Sequence, residues 1–428
     1  MRFLPRCALG WWAAAILAWL PGAHAAPTSR PAASEPYIVL LTIGPGDPIW
    51  TRFGHTALMV MHEHPGGKYD SVVYNYGAAD FGTPGFKWRF FRGTSRFFVA
   101  RTGSFNDTVN AYAANNRAVF YQKLNLAPTQ VREVIARLEH DAKPENREYV
   151  YHHLRAGCAT KVRDLLDEVL GGAIRRALGD KLDPYPPRHY GRLGYAGDVW
   201  AEIANDLFMG RLHDQPQTKY FALYLPDLLM RYLQQVKVPD PAGSGKLVPL
   251  AGAPSKLIPR RGPPATAGEG RTLIHLTYLM LTVVLVLGIL AVVGGAQRPR
   301  RAGVWLLLWS VPMGIAAGMM VFGALFSRVI EGRINELMIS FPVTDLALVW
   351  VGVRWVRRRG YAGRLLRIYA PLRLAMVLGA LLGHAVGILY QEPRVIVVLA
   401  LACTLLLTLI VRRLPAPERD AVEAAQSS

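Results

Sequence analysis

Cysteine is scarce in this chain, with three among 428 residues, at Cys7, Cys158 and Cys403. No two form a Cys-x-x-Cys pair, which excludes zinc ribbons and thioredoxin-type redox motifs. Acidic residues are also few. Thirty Asp and Glu stand against 49 Lys and Arg, a formal charge of +19. Nucleic acid is one partner that such an excess suits. Its distribution argues for another cause, because much of it sits in arginine clusters beside apolar runs, where membrane topology accounts for it. The apolar fraction of 51% and the mean hydropathy of +0.18 belong to a membrane protein rather than an ordinary soluble enzyme. The length has room for more than one domain.

Residues 1–25 read as a secretory signal: Arg2 and Arg6, an apolar core from Ala8 to Leu20, and the small-x-small site Ala23-His24-Ala25. Cys7 would leave with it. Five apolar runs close the chain: Leu273–Val293, Val304–Phe326, Leu337–Val353, Leu374–Tyr390 and Val395–Val411. Each reaches or approaches the ~20 residues a membrane helix needs. Arg298, Arg300 and Arg301 make one loop basic, and Arg354, Arg357, Arg358, Arg359, Arg364 and Arg367 another; Arg412 and Arg413 begin the tail. The positive-inside rule then puts the tail 414–428 in the cytoplasm and residue 272 outside. A cleaved signal that exports the N-terminal part gives the same topology. Asp345 is an intramembrane acid, for which a functional role and a helix–helix hydrogen bond are both open. The stretch 237–271 is rich in Pro, Gly and Ala and reads as a linker between an exported domain at 26–236 and a membrane domain at 272–413.

Cys158 is therefore the only cysteine of the exported domain, and it has no disulfide partner there. A lone thiol in an oxidising compartment marks a reactive group; the alternative is a small buried hydrophobe. The residues after it spell an amphipathic helix. Val162, Leu165, Leu166, Val169 and Leu170 recur at helical spacing, and Gly171-Gly172 stops the run. Cys158 falls at the first turn, where the helix field favours thiolate.

A thiolate nucleophile needs an imidazole partner. Tyr37–Ile43 is a continuous apolar strand, Thr56–Met61 a second, and Lys68–Tyr76 its hairpin return. His55 opens the second strand behind Gly54, which admits a close backbone or substrate. Asn75 or Tyr76, on the returning strand, is the candidate to orient His55. Arg117–Leu126 reads as another strand, and a helix follows from Thr129 as N-cap to His140. Helical segments are expected near 196–208 and 220–236. Phe86–Arg101 interleaves aromatics with arginines. An inward-packed sheet is the favoured reading, with membrane-interface contacts second and nucleic acid third. Arg52, Tyr151, Trp88 and Arg89 are the candidate substrate- or lipid-binding residues. A zinc site from His55, His62, His64 and Cys158 is the non-enzymatic alternative. The hairpin-tip reading of His62 and His64 is preferred, and no metal or cofactor is assigned.

The fold class is α+β, with an antiparallel sheet, because the early strands come without intervening helices. A histidine on a core strand facing a cysteine at a helix start resembles papain-like hydrolases, permuted so that His precedes Cys. FGHTALMV, YNYG, the Asn146–Tyr149 motif, CATKVRD at Cys158–Asp164 and YLPDLL at Tyr224–Leu229 together resemble the N-terminal periplasmic domain of the Lnb family over residues 37–235. Gly157 stands where such sequences typically carry Asn. The resemblance implies a multi-pass protein of the bacterial inner membrane that forms lyso-form lipoproteins. Cys158 would take an acyl chain from a lipoprotein diacylglyceryl ester, or another membrane lipid, with His55 as base, and pass it to an amine. The alternatives are a membrane-anchored papain-like cell-wall amidase or peptidase, and a lipid-ester hydrolase.

Overall fold

The computed structural model describes residues 35–65, 68–266, 268–294, 299–358 and 363–413. The expected signal at 1–25, the tail at 414–428, and Arg298 and Arg359 of the basic loops lie outside them.

The N-terminal part is built on one antiparallel sheet. Its strands are β1 (Tyr37–Ile43), β2 (His55–His64), β3 (Lys68–Ala78), β4 (Arg96–Thr102), β5 (Val119–Lys123), β6 (Glu148–Val150) and β9 (Ser255–Ile258), in the order β6-β4-β3-β2-β1-β5-β9. The small hairpin β7 (Lys237–Pro239) and β8 (Leu247–Pro249) stands beside it. β1 lies inside the sheet between β2 and β5, which explains an apolar run interrupted only by Thr42. Ile38 and Leu40 face one layer, while Val39, Leu41 and Ile43 face the other. A strand buried on both faces has no polar alternation to show.

The first layer holds α3 (Pro128–Asp141) and α4 (Cys158–Val169). Val134 and Leu138 of α3 pack with Val162, Leu165 and Leu166 of α4 on Leu58, Tyr74 and Tyr76. Each fully buried Leu or Val contributes about 1.5–3 kcal/mol, enough to clamp α4, and Cys158 with it, on β2 and β3. The second layer holds α2 (Phe105–Ala114), whose Phe105 and Tyr112 cover Val39, Met59 and Val73. After α4, Gly171 and Gly172 take φ of +57° and +82° and stop the helix. Asp167 Oδ1 then accepts from the Ile174 and Arg175 N–H groups at 2.8 and 3.0 Å, capping α5 (Ala173–Leu178).

Several expectations need correction. Phe86–Arg101 is not all sheet: Phe86–Phe91 forms a helix, α1, and only Arg96–Thr102 is strand. The α3 helix begins at Pro128, behind Ala127, because proline suits the first helical position and its missing N–H costs nothing there. The segment 220–236 is broken by Pro226 into α8 (Lys219–Ala222) and α9 (Pro226–Tyr232). The stretch 237–271 is not a free linker. It supplies β7, β8 and the edge strand β9, and buries Val238, Leu250 and Ala251.

Two further helices, α6 (Pro187–Tyr195) and α7 (Val199–Phe208), lead to the membrane part. That part contains α10 (Thr272–Gly294), α11 (Pro299–Phe326), α12 (Leu337–Ser340), α13 (Leu346–Val356), α14 (Gly363–Ala385) and α15 (Val395–Arg412). Among the described residues, four helices are long and apolar enough to cross a membrane, or five if a pair bent by 52°, Ile330–Ser340 with Val343–Val356, is one span. The third apolar run is therefore not straight. Pro342 stands at the break and cannot donate a helical hydrogen bond. Arg373, which falls just outside the fourth apolar run, lies well inside α14.

The two parts meet through backbone hydrogen bonds rather than a loose tether. Arg328 N–H donates to Arg92 O at 2.8 Å, Gly210 N–H to Glu331 O at 2.7 Å and Arg211 N–H to Ile334 O at 3.0 Å. Ser327 Oγ donates to Phe91 O at 2.9 Å, and Asn335 Nδ2 to Leu207 O at 2.6 Å.

Candidate active site

Cys158 is the first residue of α4, behind the extended Gly157. Thr160 Oγ1 accepts from Gly157 N–H at 2.6 Å and so fixes the helix entry. The thiol is partly exposed yet heavily surrounded by protein. Burial pushes it above the ordinary thiol value, against the pull of backbone N–H groups of Thr56, Ala159 and Cys158 itself and of the Arg117 charge. The expectation of a resting thiolate is thus corrected, because desolvation outweighs the helix terminus. Slow alkylation at pH 7 follows. The rate of iodoacetamide labelling of Cys158, read by mass, is expected to climb past pH 9. A plateau already reached at pH 6 would mean a standing thiolate.

His55 sits at the start of β2, and Thr56, its neighbour, is the residue whose N–H reaches the Cys158 sulfur. Gly54 takes φ +81°, and a Cβ there would stand 2.7 Å from Ile43 O. Its close neighbour is therefore β1 itself, not a substrate. Asn75 Oδ1 lies 3.0 Å from His55 Nε2. The amide is oriented from behind: Asn75 Nδ2 donates to Thr102 Oγ1 at 3.2 Å, and Thr102 Oγ1 donates to Val73 O at 3.4 Å. With the amide oxygen facing the ring, Nε2 carries the proton and Nδ1 keeps its lone pair. Burial, opposed by the Asn75 hydrogen bond and assisted by Arg117, lowers His55 to about 4. The imidazole is neutral at physiological pH.

Of the two residues proposed to orient His55, only Asn75 lies within hydrogen-bond reach of its ring. Tyr76 points to the other face of β3, where its hydroxyl donates to Asp141 Oδ2 at 2.7 Å within the core beneath α3. Gly77 matters instead. It takes φ +90° at a register shift in β3, and a Cβ there would be 3.5 Å from Cys158 Cβ.

The lipid-contact candidates divide. Tyr151 stacks on Phe97 with centroids 4.1 Å apart, and its ring stands beside Gly157. Trp88 is half exposed on α1 and packs on Phe322 of α11 at 5.5 Å. Arg89 Nη1 is spent on Pro84 O at 2.8 Å, and Arg52 braces the chain through Ala196 O at 2.9 Å and Asp47 O at 3.3 Å. His64 pairs with Asp70 at 2.8 Å across the hairpin, at the far end of β2 from His55. Among the described residues, no group of three or more His, Cys, Asp or Glu is placed to hold a metal ion.

Residues 24–187 match the family model of the Lnb N-terminal periplasmic domain. The exported part carries an Lnb domain. No curated protein and no solved structure matches the chain. The matched Lnb region spans His55, Asn75 and Cys158 and ends at Pro187, so the Tyr224–Leu229 segment falls beyond it. With the apolar helices behind it, the chain is a membrane protein with a periplasmic N-terminal domain.

Sequence reasoning missed two groups around the Lnb site. Arg117 is buried, donates from Nε to Gly44 O at 2.9 Å and stacks over Tyr112 at 5.3 Å, while its charge acts on both His55 and Cys158. It stands two residues before β5, and no local pattern marks it. Glu331, from the segment after α11, is buried and pairs with His152 Nε2 at 3.2 Å. His152 Nδ1 accepts from Leu154 N–H at 3.3 Å, so Nε2 is the protonated nitrogen. The turn His152–Ala156 that presents Gly157 and Cys158 is thereby pinned to the membrane part.

Proposed function

We propose that the protein is a membrane-anchored cysteine acyltransferase of the permuted papain-like kind, acting on lipoprotein or lipid acyl esters at the outer face of the inner membrane. One observation carries this reading: the His55–Asn75 pair and Cys158 gather at one end of the sheet, in an Lnb domain fastened to membrane helices. His55 Nδ1 takes the thiol proton as the sulfur attacks the ester carbonyl carbon. The ester C–O bond breaks, and His55 returns the proton to the leaving alkoxide oxygen. The thioester on Cys158 is then attacked by an amine, whose proton passes to His55 and on to the departing thiolate. Backbone N–H groups at the start of α4 support the oxyanion. The neutral thiol and neutral imidazole suit this order, in which proton and nucleophile move together.

The test uses the purified full chain with a diacylated lipopeptide. Intact mass is expected to show an acyl adduct on the protein, and the lipopeptide should become an N-acylated lyso isomer of unchanged mass. Release of free fatty acid without N-acylation would make the protein a lipid hydrolase. Release of muropeptides from cell wall, with no lipid change, would move it to the amidase class.

Asn75→Ala is expected to slow acylation about 10–10²-fold, part of the 10²–10⁴ that a positioned base supplies. Asn75→Asp should raise the acid limb of the pH profile, since a carboxylate favours the charged imidazole. Stopped-flow acylation against pH checks both, and an unmoved limb would uncouple Asn75 from His55.

A further inference from the structure

A cavity of about 180 Å³ lies where the Lnb domain meets the membrane helices. Among its lining residues, Phe90 and Tyr151 come from the Lnb domain, Phe208 and Met209 from the end of α7, and Met320 and Gly323 from α11. Neither half makes it alone. Its size is an order of magnitude beyond the roughly 10–15 Å³ one water needs, and its wall is mostly apolar, with the His152 and His153 rings and Ser327 as its polar members. Such a space fits hydrocarbon. Met319, Met320 and Met209 suit a chain of variable conformation, because thioether side chains adapt to irregular occupants.

Its position beside the nucleophile is the second observation. A Cβ on Gly157 would lie 3.8 Å from the Tyr151 ring and 3.8 Å from His153 O. Both of those residues line the cavity, and Gly157 is bonded directly to Cys158. Tyr151 also lies within electrostatic reach of the Cys158 sulfur. The wall of the cavity therefore abuts the residue that delivers the thiol. Two of its lining residues tie the halves together, Ser327, just after α11, donating from Oγ to Phe91 O at 2.9 Å, so it is not an accidental gap between loose bodies.

We propose that this cavity receives the long acyl chain carried on Cys158, and that its depth sets acyl-length preference. The inference rests on the acyltransferase reading. The occupant is a hydrocarbon chain of a glycerol ester, whether that ester belongs to a lipoprotein or to a phospholipid. Holding the chain at the junction keeps the thioester beside the membrane and away from water, which favours transfer to an amine over hydrolysis.

Gly323→Leu is the direct probe. A Cβ at Gly323 meets only Phe91 Cζ, at an ordinary 3.8 Å, so the helix accepts a side chain there while the cavity loses space. Met320→Phe is the second probe, from the adjacent turn. The full chain in detergent is given diacyl lipopeptides, and separately phosphatidylethanolamines, with acyl chains of 8, 12 or 16 carbons. Intact mass follows the adduct on Cys158. Both variants are expected to lower the 16-carbon to 8-carbon rate ratio about tenfold or more. Adduct from the lipopeptide alone assigns the chain to lipoprotein, and adduct from the phospholipid alone to membrane lipid; either supports the pocket when the ratio shifts. An unchanged ratio in both variants, with the wild type acylated, overturns the pocket and leaves the acyltransferase reading standing. No adduct in the wild type from any donor overturns that reading and the pocket with it.

Discussion

Cys158→Ala is expected to abolish the acyl adduct and to cut turnover by about 10³-fold or more, with the melting temperature nearly unchanged. The fold prediction follows from local structure. Position 158 is the first residue of α4, alanine is the strongest helix former, and the change removes a single sulfur at the edge of the core, so little packing is lost. The activity prediction follows from the electronics of the pair. Burial holds the thiol up and His55 down to about 4, so the Cys158–His55 pair is neutral at rest. Everything then depends on a sulfur that can be deprotonated during attack. Cys158→Ser removes that property, since a hydroxyl is far harder to deprotonate, and the same loss is expected. His55→Ala should cost about 10²–10⁴-fold, the range for a positioned base. The sign of the pH dependence is fixed as well. A lowered imidazole value means the neutral, proton-accepting form persists as pH falls, and the rate is lost only on passing through about 4. Circular-dichroism melting beside single-turnover acylation separates fold from chemistry. Full activity in Cys158→Ala or in His55→Ala would remove that residue from the mechanism.

The elements nearest this chemistry were the most legible in the sequence. β1 announces itself by seven residues apolar but for Thr42, α4 by its 3.6-residue stripe and glycine stop, and both motifs are local. The choice between Asn75 and Tyr76 was not legible. Adjacent residues of a strand point to opposite faces, so only one can meet His55, and the sequence does not say which face β2 and β3 share there. The register Leu58↔Tyr74 and Val60↔Val72 decides it, placing Tyr76 with the α3–α4 core and Asn75 on the other side. Strands β7, β8 and β9 were hidden for a different reason. Three or four residues show no periodicity, and the surrounding Pro and Gly match the composition of a linker. Arg117 and the Glu331–His152 pair depend on contacts between residues far apart in the chain, for which no local pattern exists.

Asp345→Ala in the bent span is the other change of large expected effect, a destabilisation of about 3–5 kcal/mol. Asp345 and Arg373 are both fully buried. Arg373 Nε donates to Asp345 Oδ1 at 3.0 Å and Nη2 to Oδ2 at 2.9 Å, a two-pronged pair, while Tyr369 Oη adds a bond to Oδ1 at 2.6 Å. Arg373 also donates to Ser340 O, a carbonyl freed where Pro342 interrupts the span. The pair thus ties both arms of the bend to α14. Removing the carboxylate alone leaves a guanidinium unpaired in a medium that cannot solvate it. Replacing both partners, as Asp345→Leu with Arg373→Met, removes that charge and should recover most of the loss. The bend leads directly to the docked domain: Glu336, at the head of α12, accepts from Tyr390 and Gln391 N–H at 2.9 and 2.8 Å and pairs with Arg211 at 3.1 Å. Acylation by the single variant should therefore fall together with its stability, and the double variant should regain both. Thermal unfolding of the detergent-solubilised chain, measured beside adduct formation, distinguishes this structural role from a functional one. A double variant that is stable but inactive would mean that the charge itself takes part in the reaction, and a single variant as stable as the wild type would mean that the pair does not hold the bend.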